Sequence, residues 1–278
     1  MKEHPTKEEL VHLYSQEKRT WKEVSELCNL SMSTVRSIAR SYGISNVPYY
    51  IRKYPDLPES LTQKQNYIVA GSLLGDGSIN SRPNRRFGYF TVMQERSRHS
   101  YIRWLHNRFI PFSTGGVKFY TSGVDARTGK VYHSVHFRTI AHPEFNKWRI
   151  LFYPNGKKIV PENIADLINP LSLAVWYIED GCFNTSNGKQ ECTLSTQAFT
   201  PDECEILKSM LVAKFGIPTS IHKRDEYKIL YVRREPWIAT VGPFVWRVAC
   251  MRRKLPKGYF PTSWNSSQNS TSDTSETK

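Results

Sequence analysis

Apolar positions along this chain recur with one period near the start and another later, and the change divides it into zones. In residues 1–46 the spacing is helical. Leu10, Val11 and Leu13 follow the pair Thr6 and Glu9; Val24, Leu27 and Cys28 follow Thr20 and Glu23. Each pair sets a hydroxyl three residues before a carboxylate, the pattern of a capping box. A third apolar set, Val35, Ile38 and Ala39, begins after Ser31 or Ser33 and stops at Gly43, a suitable C-cap. Three short helices with a tight turn through Asn29 and Leu30 predict a helix-turn-helix unit. Pro48, Pro55 and Pro58 then mark 47–62 as a linker.

From residue 63 the pattern is written twice. "IVAGSLLGDG" is an apolar helix ending at Asp76. "FGYFTVMQ", residues 87–94, alternates as a strand, and "SRHSYIRWLHNRF" is an amphipathic helix. "LAVWYIEDG", residues 173–181, restarts the series with an apolar helix ending at Asp180. "CTLSTQAF" alternates again. "PDECEILKSMLVAKFGI" puts Leu207, Met210, Leu211 and Phe215 on one helix face, and "TSIHKRDEYKILYVRRE" reads as strand, turn, strand. Gln94 follows Asp76 by 18 residues and Gln197 follows Asp180 by 17. The prediction is an α+β fold: a helix-ribbon-helix-ribbon-helix unit made twice, over 63–160 and 161–260, related by a pseudo-two-fold and presenting a β saddle. Residues 261–278 are almost wholly polar and are predicted to be disordered.

The repeat accounts for the glycines of the first apolar helix. Gly71 and Gly75, four residues apart, let two helix backbones approach closely. Alanine at 71 is expected to be mild and leucine to push the halves apart. Helices packed side by side bring both terminal acids to one end, where two carboxylates repel unless a divalent cation lies between them. Magnesium suits that oxygen set, and a metal at a basic surface suits phosphodiester hydrolysis.

Charge names the partner class. The chain has 278 residues, 39 Lys and Arg against 25 Asp and Glu, and a net charge of +14. Such an excess points to nucleic acid. No apolar run approaches the roughly 20 residues of a membrane span, and "MKEHPTKEEL" has no signal-peptide core. The five cysteines contain no C-x-x-C pair, which argues against structural zinc and for thiols in a reducing, DNA-containing compartment. The third N-terminal helix would offer Ser33, Arg36, Ser37 and Arg40 to a DNA groove. The ribbons would offer Arg82, Arg85, Arg86, Arg96 and Arg98 in the first half, and Lys223, Arg224, Lys228, Arg233 and Arg234 in the second.

"VAGSLLGDG" and "LAVWYIEDG" resemble the two signature helices of a LAGLIDADG homing endonuclease in its single-chain, two-motif form. The flanks "AHPEFNKWRILFYPNGKKIVPENI", "LSTQAFTPDE" and "KLP" strengthen the resemblance, which covers about 63–258. It implies that Asp76 and Asp180 are catalytic metal ligands for Mg2+, with Mn2+ as a substitute. Gly75 and Glu179, beside them, are counted with the metal site, and Glu179 has no role of its own. The resemblance also implies that Lys158 and Lys254 stand near the two active sites. There a cation can lower the pKa of a water or stabilise the pentavalent phosphate. Gln94 and Gln197 match polar residues that hold solvent or the scissile phosphate. Ser72 and Leu74 depart from the motif, though neither holds the terminal acid. The implied activity is a staggered cut through both strands of a long, asymmetric DNA target by a monomer. The compartment would be bacterial or phage-infected cytoplasm, or an organelle. The alternative is a non-cleaving binder on the same scaffold, an intron RNA maturase or a transcription regulator.

Overall fold

A computed structural model describes residues 4–17, 19–44, 57–81, 87–113, 115–184, 191–224 and 226–261. Its buried apolar residues form two separate clusters.

The smaller cluster belongs to the N-terminal helices α1 (Lys7–Leu10), α2 (Trp21–Leu27) and α3 (Met32–Ser41). Both expected capping boxes form, Thr6 with Glu9 and Thr20 with Glu23, and Ser31 caps α3. Gly43 follows α3 at φ +71°, a left-handed conformation that glycine adopts without strain. The first helix differs from expectation. It widens into a π-helix over Val11–Gln16, which leaves Val11 and Leu13 half-buried and turns Tyr14 inward. Tyr14 stacks on Trp21 with ring centroids 3.6 Å apart, and Leu10, Val24, Val35 and Ala39 complete the core.

The larger cluster holds two copies of one topology. The first copy runs α4 (Gln63–Leu74), β1 (Ser78–Asn80), β2 (Tyr89–Glu95), α5 (His99–Arg108), β3 (Lys118–Val124), β4 (Val131–Arg138) and α6 (Pro143–Phe152). After a short α7 (Ile164–Leu167), the second runs α8 (Pro170–Asp180), β5 (Gly181–Asn184), β6 (Glu191–Ser195), α9 (Pro201–Phe215), β7 (Thr219–Arg224), β8 (Tyr227–Val232) and α10 (Arg234–Trp246). A 3₁₀ turn, Ala249–Lys254, follows. Each copy makes a four-stranded antiparallel sheet, ordered β1-β2-β4-β3 and β5-β6-β8-β7. The ribbon over 118–138 has little period-2 signature, because all seven β3 residues are exposed. The second ribbon ends before Arg233 and Arg234. Arg233 N-caps α10, Arg234 opens it, and both pair with Glu235, so they lie at a helix start rather than on a strand.

Helices α4 and α8 lie at the centre, packed against each other and buried on nearly every side. That position explains their sequences, since a helix that is apolar all round needs cover all round. Their starts are sharply set, by a Thr62–Gln65 box on α4 and by Asn169, Ser172 and Pro170 on α8.

The candidate active site where the two central helices meet

The approach of α4 to α8 is a backbone contact. A Cβ built on Gly71 would fall 2.8 Å from both the Cα and the carbonyl carbon of Ser172, and nearer still to its carbonyl oxygen. One on Gly75 would fall 2.8 Å from the Cβ of Glu179. Close approach is therefore what the glycines permit, but the tolerance expected for alanine at 71 does not follow. The first side-chain atom already collides, and with backbone that cannot rotate aside.

Both helices end at one place. Asp76 is exposed just past α4, and Asp180 is the last residue of α8. Burial and then the charge of Asp76 push the Asp180 carboxyl up to about 6, against the pull of Lys158, Lys254 and Arg98. The two acids thus share one field. No third His, Cys, Asp or Glu joins them in a metal-binding cluster among the described residues. A pair of carboxylates without a third His, Cys or acidic ligand fits magnesium, which keeps its waters and takes one or two carboxylates plus phosphate oxygens.

The lysines hold the motif ends. Lys158 Nζ donates to the carbonyls of Gly75 (3.0 Å) and Gly77 (2.7 Å), and Lys254 Nζ to those of Tyr177 (3.0 Å) and Gly181 (2.7 Å). Each places a cation on carbonyls at a helix C-terminus. Burial lowers both amines, Lys254 to about 8.

The glutamines do not form a symmetric pair. Gln94, on β2 and facing inward, donates Nε2 to Asp76 Oδ2. Gln197 lies beyond the end of β6 and is exposed. Strand register gives the reason. Ser78, two residues past Asp76, pairs with Thr91, whereas Gly181, one past Asp180, pairs with Leu194. The counterpart of Gln94 is therefore Thr196, which is buried and donates Oγ1 to Lys228 O at 2.7 Å. A slip of one residue turns a strand side chain to the other face.

Arg98 is a second correction. It lies at the site, not on the ribbon surface, with Nη1 donating to Gln94 Oε1 at 2.6 Å and to Glu179 O at 3.4 Å. Glu179 is the third. Its side chain is turned into the interface between halves, only 4% exposed, away from the metal set in which the sequence counted it. Ser72 Oγ (2.7 Å), Tyr101 Oη (2.7 Å) and the amides of Asp76 (2.8 Å) and Gly77 (3.3 Å) all donate to it. Burial and Asp76 push its pKa up to about 8. Tyr101 and Arg98 complete the site from an ordinary amphipathic helix and the turn before it. The sequence carries no signal of that role.

The outward sheet faces carry the expected basic groups in part. Lys223 and Arg224 are exposed on β7, and Lys228 pairs with Lys223 across the second ribbon and is half-buried; Arg96 is exposed in a 3₁₀ turn just past the end of β2 and not on a strand. Arg96 lies 5.4 Å from the ring centre of Phe119. On α3, Arg36 and Arg40 are exposed opposite buried Val35 and Ala39. Arg82, Arg85 and Arg86 lie outside the described residues. Among the described residues no helix is long and apolar enough to cross a membrane.

Comparison with known proteins agrees with this geometry. Residues 66–237 match the model of the LAGLIDADG DNA endonuclease family. The chain is 32% identical over 170 residues to cytochrome b mRNA maturase bI2 of Debaryomyces hansenii, covering 58% of this chain and 62% of that protein, so it spans under two thirds of that relative. It is 25% identical over 215 residues to DNA endonuclease I-ChuI of Chlamydomonas applanata, 72% of this chain and 97% of that one. The solved structure of the homing endonuclease I-WcaI bound to its DNA recognition sequence has the same fold. Its TM-score is 0.68 at 24% identity, over 77% of this chain and 95% of that one. With the family match spanning both acid-tipped helices and both sheets, the chain belongs to the LAGLIDADG DNA endonuclease family.

Proposed function

We propose that this protein is a sequence-specific homing endonuclease that cuts both strands of a long, asymmetric DNA target with a stagger, using Mg2+ held by Asp76 and Asp180. The observation that carries the reading is the meeting of those acids at the ends of two packed helices, where burial and then the charge of Asp76 raise Asp180 to about 6 beside Lys158, Lys254 and Arg98. Bound there, the cation supplies Lewis-acid stabilisation of the phosphate and activates a water. Mn2+ is a suitable substitute. Gln94, fixed by Arg98, orients the first acid. Lys158 and Lys254 add positive charge where the phosphate develops charge. The ribbon faces read the duplex, and since one chain already carries both motifs, a monomer suffices.

The test uses the uninterrupted form of the DNA that flanks the reading frame. Mg2+ should give cleavage of both strands, and chelator should leave binding without cutting. Cleavage undiminished in chelator would exclude the metal mechanism. The maturase relative supports a second reading, intron RNA as partner. That reading gains if the protein promotes splicing of a flanking intron and leaves the DNA intact.

The N-terminal helices are proposed as a helix-turn-helix DNA-binding domain that extends the footprint through Arg36 and Arg40. Their core is separate from that of the two halves. Deleting residues 1–46 should therefore leave a folded, cutting protein with weaker affinity and a footprint shortened at one end. An unchanged footprint and affinity would assign those helices to another partner.

A further inference from the structure

The two motif ends are built unequally. In register, Gly75 precedes Asp76 as Glu179 precedes Asp180. Where the first motif has a hydrogen for a side chain, the second has a carboxylate. The two meet, since a Cβ on Gly75 would fall 2.8 Å from the Cβ of Glu179 and 2.7 Å from its Oε2. The missing side chain at 75 is the space through which Glu179 reaches the first half.

There Glu179 Oε2 accepts from the amides of Asp76 and Gly77, while Oε1 accepts from Ser72 and Tyr101. Lys158 holds the carbonyls of Gly75 and Gly77 from the other side. The peptides around Asp76 are thus gripped at both amide and carbonyl. Gln94 fixes the Asp76 carboxylate, and Arg98 ties Gln94 to the backbone of Glu179. The second end has only half of this. Lys254 holds the carbonyls of Tyr177 and Gly181, and the amide of Gly181 closes its own helix on Tyr177 O, as that of Gly77 closes on Ser72 O; what the second end has no counterpart for, among the described residues, is the carboxylate on the amide of the acid itself. Among the described residues, the groups acting on the Asp180 carboxyl do so through burial and charge.

Resting on the metal reading above, we propose that Glu179 is a positioning residue: reaching from the second half, it sets the backbone of the metal-binding Asp76 in the first. The first half then does not present its acid correctly alone, and the first acid is preset while the second adjusts. Groups that orient a metal ligand without touching the metal typically cost 10–100-fold in affinity or activity when lost.

The experiment uses the full chain without DNA and titrates Mn2+, followed by the paramagnetic signal of the free ion. Amide exchange over residues 75–78 is measured alongside. The proteins are wild type, Asp76→Asn, Glu179→Gln and Glu179→Asp. The amide of glutamine has one acceptor oxygen for four donors; aspartate keeps the charge but falls one methylene short. The expected result is Mn2+ binding weakened on the order of tenfold in both Glu179 variants. Exchange should rise at Asp76, whose amide has Glu179 as its acceptor, and stay unchanged along α9. Wild-type Mn2+ affinity and exchange in the Glu179 variants would overturn the assignment. Wild-type binding that Asp76→Asn fails to weaken would overturn the metal reading, and this assignment with it. If neither Glu179 variant folds, Glu179 serves folding alone and the positioning role is wrong.

Discussion

Gly71→Ala should destabilise the two-half unit by about 3 kcal/mol or more, and Gly71→Leu should prevent its folding. Overpacking a core typically costs about 1–3 kcal/mol when side chains can give way. Here the colliding atoms are the backbone of Ser172, in the middle of a buried helix contact, so α4 and α8 must separate or bend. The helix preference of alanine over glycine returns only about 1 kcal/mol. For a unit of this size the net loss corresponds to a fall in melting temperature of roughly 6–12 °C. A thermal melt of the full chain reads it directly. A Gly71→Ala protein that melts with the wild type would show that the helices do not touch at this point.

Asp76→Asn and Asp180→Asn should each remove double-strand cleavage while leaving DNA binding intact. Losing one metal ligand forfeits about 4 kcal/mol of transition-state stabilisation, roughly a thousandfold in rate. The Asp180 variant carries a second signature with a definite sign. Its carboxyl is raised in the folded state from 3.8 to about 6, so the folded protein holds the proton more tightly than the unfolded chain. The stability that this represents is present below pH 4 and is lost as pH rises through 6. Asparagine carries no such penalty. In chelator, Asp180→Asn should therefore melt higher than wild type above pH 6, and the gap should close towards pH 4. Equal melting at pH 8 would mean that burial and Asp76 do not hold the Asp180 carboxyl raised. Loss of activity with gain of stability is the pattern of an acid kept for chemistry.

What was legible in the sequence was whatever local rules write locally. Hydroxyl-x-x-acid pairs marked helix starts, and a helix apolar on every side had to be central. The doubled order of elements required two like sheets. Less legible was anything decided across the chain. Gln197 resembles Gln94 in spacing, but the path into β6 is two residues shorter, which leaves Gln197 one residue out and hands that inward position to Thr196. Glu179 is counted with the metal site because it adjoins Asp180, and only the packing of α4 shows that it turns into the junction between halves. Arg98 and Tyr101 acquire their places from the fold of the first half. The sequence around them is that of any amphipathic helix and its preceding turn.

The hole at Gly75 and the carboxylate that fills it give the junction a polarity. A first half paired with a copy of itself would set glycine against glycine. In each copy the amide of Asp76 and the hydroxyls of Ser72 and Tyr101 would lose their acceptor, while the Gly77 amide would keep Ser72 O. Unmet buried donors cost about 1–3 kcal/mol apiece. A second half paired with itself would press one buried glutamate against another, with no donor between them and no gap to admit either. Each homodimer is disfavoured by its own surface, so the mixed pair is the arrangement these two helices select. Any exchange of halves between relatives must carry both positions together.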